Sequence, residues 1–322
     1  MRDDREDSPF DLDLTLRRRA LQRVVADDEA GFLYREIGGR LLDRLDCLKR
    51  VPTTILDVGC GTGQLTARLL KKYRKAAVIG LELAPAWVRK ARQRAPWFRT
   101  LHGAVAEAGA LPIATAGCDL IFSNLTLPWY PDLDQVFAEF RRVLKPGGAL
   151  LFSTLGPDTL IELRRSWAAA DRYNHINAFF DLHDIGDALL RAGLADPVMD
   201  VERLTLTYQD SAELMRDLKR LGAGNITAGR APGLTGKGRL QTMRTAYERL
   251  RRAEGLLPVS CEVVYGHAWG PLPISSRPKA AGPAFFPLAE LRRRPSSADP
   301  CPPTTDVLSA APVPLPGSTP IE

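Results

Sequence analysis

The chain has 322 residues, 45% of them hydrophobic, enough for one large domain or two small ones around a sizeable core. Its 44 Lys and Arg against 38 Asp and Glu leave a net charge of +6, which suits an acidic partner without naming one. No apolar run reaches the ~18 residues of a bilayer span, and Met1 to Pro9 is acidic and polar, unlike a secretory signal, so a cytoplasmic protein without a membrane span is expected.

Residues 1–10 read as disordered. From Leu14 to Leu48 the apolar residues Leu21, Val24, Phe32, Leu33, Ile37, Leu41 and Leu45 recur at helical spacing, and Asp27-Asp28 is placed to cap a second helix. Val51 to Ile55 reads as the end of a strand. Leu56-Asp57-Val58-Gly59-Cys60-Gly61-Thr62-Gly63 follows, and Gln64 to Leu70 has helical apolar spacing. Three glycines thus stand in a strand-to-helix turn, where positive φ and close approach of a ligand to the backbone are both permitted. The helix after it aims free N–H groups and a positive dipole end at whatever binds.

The turn is not a phosphate loop, because no Lys follows Gly63. Nor does it match the dinucleotide pattern, whose third glycine lies inside the helix. Asp57 at the strand end would repel a pyrophosphate but suits a ligand carrying a cationic amino group. A tight turn without a ligand is the bland alternative. Ala77 to Glu82 reads as a second strand ending in an acid, the place where nucleotide folds bind ribose hydroxyls. Glu82 as an ordinary solvated charge is the competing reading, disfavoured by the apolar residues before it. Cys118 to Asn124 reads as a fourth strand, Leu133 to Val143 as a helix, Leu144 to Gly148 as a turn and Ala149 to Thr154 as a fifth strand.

After Gly156-Pro157, helices are expected from Asp158 to Ala170 and from Leu182 to Ala192, the latter ended by Gly193. Val198 to Tyr208 alternates like a strand. Residues 210–254 are mostly helical and interrupted by glycines, and Val259 to Trp269 reads as the last strand. Residues 271–322 hold 13 of the 25 prolines and read as a disordered tail, in which Phe285-Phe286-Pro287-Leu288 is more simply bland than a docking segment. Four parts follow: N-terminal helices (1–50), a nucleotide-binding core (51–155), the rest of the sheet with a helical lid (156–270), and the tail. Five cysteines are scattered, which fits a reducing compartment. The four histidines form no cluster, so no metal is expected.

Asp57 with Gly59, Gly61 and Gly63 resembles the first motif of class I S-adenosylmethionine (SAM) methyltransferases. The resemblance implies an α/β fold, Rossmann-like, with a mostly parallel seven-stranded sheet, helices on both faces and a helical insertion between the last two strands. It also implies a SAM site built from Asp57, Gly59, Cys60, Gly61, Gly63, Glu82, Leu83 and Asn124. Gly103 to Pro112 resembles the family's third element, which places the adenine-binding acid on Glu107, where Asp is commoner.

The flanks are more particular. Arg18-Arg19-Ala20, Arg35-Glu36-Ile37, Ser123-Asn124-Leu125 with Trp129, Leu218 to Ala223 with Gly229-Arg230, and Val264 to Trp269 resemble the malonyl-acyl-carrier-protein O-methyltransferases of biotin synthesis. The likeness runs over roughly residues 14–270. Where many members carry Tyr-Asp, this chain has Asp27-Asp28. The resemblance implies methylation of the free malonyl carboxylate on acyl carrier protein, or on malonyl-coenzyme A, by a monomer that binds no nucleic acid. Arg230 and Lys219 in the insertion are then the cations for that carboxylate, and Trp129, with Tyr130, is a wall of the transfer site. Arg17-Arg18-Arg19 and the stretch from Arg239 to Arg252 are the surfaces that would receive the carrier. Two alternatives stay open: a related enzyme that modifies protein or another small carboxylate, including the arginine hydroxylases of complex I assembly, which share much of this layout, and a non-enzymatic SAM-binding assembly factor.

Overall fold

The computed structural model describes residues 10, 12–13, 15–17, 31–227, 229–231 and 233–272. The expectations for residues 1–9, for Asp27-Asp28, and for the tail from residue 273 onward, including Phe285 to Leu288, lie outside these residues.

Strands β1 (Thr54–Val58), β2 (Ala77–Glu82), β3 (Leu101–Val105), β4 (Cys118–Asn124), β5 (Leu144–Leu155), β6 (Ala195–Tyr208) and β7 (Leu257–Trp269) form one sheet in the order β3-β2-β1-β4-β5-β7-β6. The first five are parallel, and β7 runs antiparallel between β5 and β6. Successive residues of the central strands point to opposite faces. Leu56, Ile121, Leu150, Phe152 and Val264 pack with α4 (Leu133–Val143) and α6 (Leu182–Arg191). Ile55, Leu120, Phe122, Leu151 and Val263 pack on the other face with α1 (Phe32–Arg44), α2 (Gln64–Lys72) and α3 (Pro85–Gln93). Both faces being covered explains the near-continuous apolar strands.

β6 leads into two helices, α7 (Ser211–Arg220) and α8 (Lys237–Glu248), before β7 completes the sheet. Together with α5 (Ile161–Ala168) they close a third core of Leu163, Trp167, Leu214, Met243, Tyr247 and Val259. The expected insertion is therefore present, with its own apolar centre. Helix starts follow their caps: Asp132, Asp181 and Asp210 accept hydrogen bonds from Gln135, Asp184 and Glu213 N–H at the first turns of α4, α6 and α7.

Several boundaries differ from the sequence reading. β1 continues to Val58, paired in parallel with Leu81, so Asp57 is part of the strand and the turn begins at Gly59. The turn expected at Leu144 to Gly148 belongs to β5, which meets β4 through a register shift while Gly147 takes φ +70°. Helix α5 is shorter than Asp158 to Ala170, because Leu160 adopts a left-handed φ of +57° at its start. Helix α3 has no counterpart in the sequence reading. Its run PAWVRKARQ buries only Val88 and Ala91, too few apolar positions to show a period.

Candidate active site

The strand-to-helix turn closes over the end of the sheet. Gly59 and Cys60 N–H both donate to the Leu81 carbonyl, at 2.8 and 3.0 Å. The three glycines do different work. All have positive φ. A Cβ on Gly59 would come within 1.9 Å of Thr126 Oγ1, and one on Gly63 within 2.6 Å of the Ala91 backbone. One on Gly61 would meet nothing nearer than the Trp87 ring at 3.9 Å. Gly59 and Gly63 therefore serve packing, and Gly61 leaves its backbone open to a ligand. No side chain caps the N-terminus of α2, whose first N–H groups stay free for one.

Two acids face this turn. Glu82, 7% exposed, accepts hydrogen bonds from Gly61 N–H (3.1 Å), Leu83 N–H (2.7 Å) and Ala84 N–H (3.3 Å). Asp57, 2% exposed, accepts from the Thr66 hydroxyl at 2.5 Å. Burial pushes the Asp57 carboxyl up to about 7. The Thr66 hydroxyl pulls it down, and the neighbouring Glu82 charge adds to the rise. A cation brought against Asp57 would reverse that shift.

At the end of β4, Asn124 donates to the Tyr34 carbonyl (3.1 Å) and accepts from Ser153 Oγ (2.8 Å), tying the start of α1 to the sheet. Leu125 is held at φ +52° by bonds from its N–H to Ser153 O and Oγ. Such strain in a non-glycine residue costs about 1–3 kcal/mol and persists only where the surroundings enforce it.

These groups line a cavity of about 140 Å³ that brings together Arg17, Tyr34, Asp57, Gly59, Cys60, Gly61, Glu82, Trp87, Asn124 and Trp129. Gly63, Leu83 and Glu107 do not line it; Gly63 begins α2, and Glu107 forms a local bridge with Ala110. The residues present fit SAM in chemistry: two buried acids for an amino group and ribose hydroxyls, an open glycine backbone, and buried unpartnered donors on Arg17 and Trp87.

A second cavity, of about 1950 Å³, runs between the insertion and β6, β7 and α5. Apolar residues such as Leu163, Trp167, Leu206 and Val259 line it, and so do Arg216, Lys219, Arg220 and Arg230. The two cavities share five wall residues: Tyr34, Leu125, Trp129, Arg220 and Leu221. Of the sequence candidates, Trp129 stands at this junction, 9% exposed. Lys219 and Arg230 stand on the larger cavity alone, and Arg230 donates to the Thr227 carbonyl (2.9 Å) and pairs with Asp13 (3.7 Å). Arg17, expected on a carrier-receiving surface, is half-buried and turns its guanidinium over Trp129 instead; Arg18 and Arg19 lie outside the described residues. Sequence reasoning missed Tyr34, Trp87 and Arg220 as wall residues. The only hint for Arg220 was its place beside Lys219.

A family model described as "Methyltransferase domain" matches residues 56–152. The chain is 45% identical over 276 residues to malonyl-acyl-carrier-protein O-methyltransferase of Methylovorus sp. (strain MP688), covering 84% of this chain and 93% of that protein. It is also 45% identical over 279 residues to the protein of that name from Gallionella capsiferriformans (strain ES-2), covering 84% of this chain and 96% of that one. The chain belongs to the malonyl-acyl-carrier-protein O-methyltransferase family. It is a methyltransferase enzyme, and the arginine-hydroxylase alternative is not favoured. Among solved structures, the YcgJ protein of Bacillus subtilis shares the fold at a TM-score of 0.53 and 16% identity, over 72% of this chain and 98% of that one. Among the described residues, no helix is long and apolar enough to cross a membrane.

Proposed function

We propose that this protein transfers the methyl group of SAM to the free carboxylate of a malonyl thioester carried by acyl carrier protein, giving the methyl ester that starts assembly of the pimeloyl chain of biotin. The observation that carries this reading is the junction: a cavity chemically suited to SAM and a long, largely apolar cavity meet at Tyr34, Leu125, Trp129, Arg220 and Leu221.

Bound SAM supplies a sulfonium methyl, and transfer forms the carboxylate O–C bond as the C–S bond breaks onto sulfur, leaving a neutral thioether. A carboxylate with a pKa near 4 is already ionised, so the protein needs no general base. Its task is to hold the carboxylate in line and exclude water. Trp129 and Tyr34 form the dry wall for this; Asp57 would hold the cofactor's amino group and Glu82 its ribose. The apolar length of the larger cavity suits the carrier's prosthetic arm. Lys219 and Arg230 are assigned to its carboxylate end, with Arg220 nearer the cofactor side by its place on both walls.

The direct test is incubation of the purified protein with SAM and malonyl-acyl carrier protein, with the methyl ester read by mass spectrometry. No ester with the carrier, but ester with malonyl-coenzyme A, would move the substrate assignment to the free thioester. Arg230→Ala is expected to raise KM for the malonyl carrier about tenfold, the loss of a charge-assisted contact; an unchanged KM removes Arg230 from the site.

The carrier should meet a basic surface. Helix α8 buries Met243 and Tyr247 and leaves Lys237, Arg239 and Arg244 exposed, with Arg249 following it. We expect KM for malonyl-acyl carrier protein to rise severalfold between 50 and about 300 mM salt, as screening shortens the reach of these charges. A KM for malonyl-coenzyme A that rises as much would show that the dependence is not carrier docking.

A further inference from the structure

One cation in the smaller cavity has no task in the scheme above. The chain before α1 is anchored to the lid, where Asp13 N–H donates to the Ile226 carbonyl (2.9 Å) and Leu12 bridges Thr227, and to the segment before α6, where the Phe10 ring stacks on Phe180 at 4.3 Å. The Asp13 carboxylate accepts from Leu16 N–H (3.0 Å), and the Asp13 carbonyl accepts from Arg17 N–H (3.1 Å), so a helical turn begins here. That turn carries Arg17 inward. Its guanidinium lies 4.3 Å over the Trp129 ring and 5.8 Å from that of Tyr130. Nε and Nη1 are buried and have no hydrogen-bond partner.

A guanidinium with two buried, idle donors is costly to fold around unless an anion meets it. Burial lowers its pKa to about 10, with Tyr130 and Glu82 partly offsetting, so it remains charged at neutral pH. The neighbouring acids are committed elsewhere, Asp57 to Thr66 and Glu82 to three backbone N–H groups. The planar fork of an arginine matches a carboxylate.

Two carboxylates would come to this region, the amino-acid carboxylate of the cofactor and the malonyl carboxylate of the acceptor. Arg17 lines the smaller cavity and not the larger one. The malonyl carboxylate already has Lys219 and Arg230 assigned to it on the larger cavity, whereas the cofactor's carboxylate has no cation assigned. We propose that Arg17 binds the amino-acid carboxylate of SAM, and that the N-terminal segment anchored to the lid delivers it. This rests on SAM being the methyl donor.

The test is calorimetric titration of wild type, Arg17→Met and Arg17→Lys with two probes: S-adenosylhomocysteine, and 5′-methylthioadenosine, which lacks the amino-acid end. Arg17→Met should weaken S-adenosylhomocysteine roughly 10- to 100-fold, as expected for a charge-assisted contact, and leave 5′-methylthioadenosine within about twofold. Arg17→Lys should recover part of the loss. Retained binding of 5′-methylthioadenosine also shows that the variant is folded. Equal loss of both probes would mean a structural role and overturn the proposal. Unchanged or tighter binding of S-adenosylhomocysteine would mean that Arg17 only fills the cavity, and would overturn it as well. A defect confined to KM for malonyl-acyl carrier protein would reassign Arg17 to the acceptor's carboxylate. If wild type binds neither probe, the SAM reading fails, and the proposal with it.

Discussion

Asp57→Asn lowers SAM affinity by roughly 100-fold or more, and it makes what binding remains independent of pH. This is the largest effect expected of any single side chain here. Asp57 is nearly inaccessible, lies beside Glu82 and has one hydrogen-bond donor, Thr66. Asn preserves the shape and can still accept from Thr66, so the change removes charge and little else. A contact between charged groups in a dry site is worth well above the 1.5–3 kcal/mol of an ordinary charge-assisted bond.

The pH behaviour follows from the same carboxyl. Without ligand its pKa is pushed up to about 7 by burial. Binding of a cationic amino group favours the ionised form, so wild-type affinity should rise about tenfold per pH unit below 7 and level off above it. Proton release on binding, seen as a dependence of calorimetric enthalpy on buffer, checks this directly. Stability of the ligand-free protein runs the opposite way. A raised carboxyl binds its proton more tightly folded than unfolded. Its contribution is intact below the unfolded value near 4 and is lost as pH rises through about 7, a cost of up to about 4 kcal/mol. Asp57→Asn should therefore melt higher than wild type at pH 8 while binding SAM far worse. Unchanged SAM affinity in this variant would remove the site altogether.

The second large effect separates packing from binding within one turn. Gly59→Ala forces a Cβ to within 1.9 Å of Thr126 Oγ1 at φ +76°. Thr126 cannot give way freely, because its hydroxyl donates to the Val58 carbonyl at 2.9 Å. Overpacking and left-handed strain together predict a loss of about 2–5 kcal/mol, read as a fall in the denaturation midpoint. Gly61→Ala meets its nearest neighbour, Trp87, only at 3.9 Å, although φ is +55°. It should cost about 1 kcal/mol of stability yet weaken SAM at least tenfold, because the new methyl occupies the ligand's approach to the backbone. If both substitutions destabilise equally and Gly61→Ala binds SAM normally, the open backbone at Gly61 is not the contact surface.

The elements legible in the sequence were those whose signal is local. β2, β4 and α4 begin and end where the sequence places them, since their apolar runs and Asp132 cap depend only on neighbouring residues. The glycine turn and the acids at the ends of β1 and β2 were legible for the same reason, because strand-to-turn chemistry is written within a few positions. Helix α3 was not, because it is held by tertiary packing of two side chains and not by a periodic face. The shared wall of the two cavities was legible only in part: Trp129 was found, and Leu125, Arg220 and Leu221 fall within the stretches Ser123 to Leu125 and Leu218 to Ala223, whereas Tyr34 carries no local mark.

The sequence by itself determined the class of fold, the cofactor turn and, through the insertion and the last strand, the family. Those are properties of short segments and of their order along the chain. Only the tertiary structure decided which residues meet. Sheet order places β1 between β2 and β4, which brings Asn124 against Tyr34, 90 positions earlier. The antiparallel return of β7 seats the insertion over the sheet, where Ile226 receives Asp13 and draws Arg17 onto Trp129. Contacts of such separation are set by crossover topology and by burial of a whole face, and no spacing within the chain encodes them. For that reason Arg17 read as one of three surface arginines, and the structure turns its guanidinium inward to line the cofactor cavity, with two donors buried.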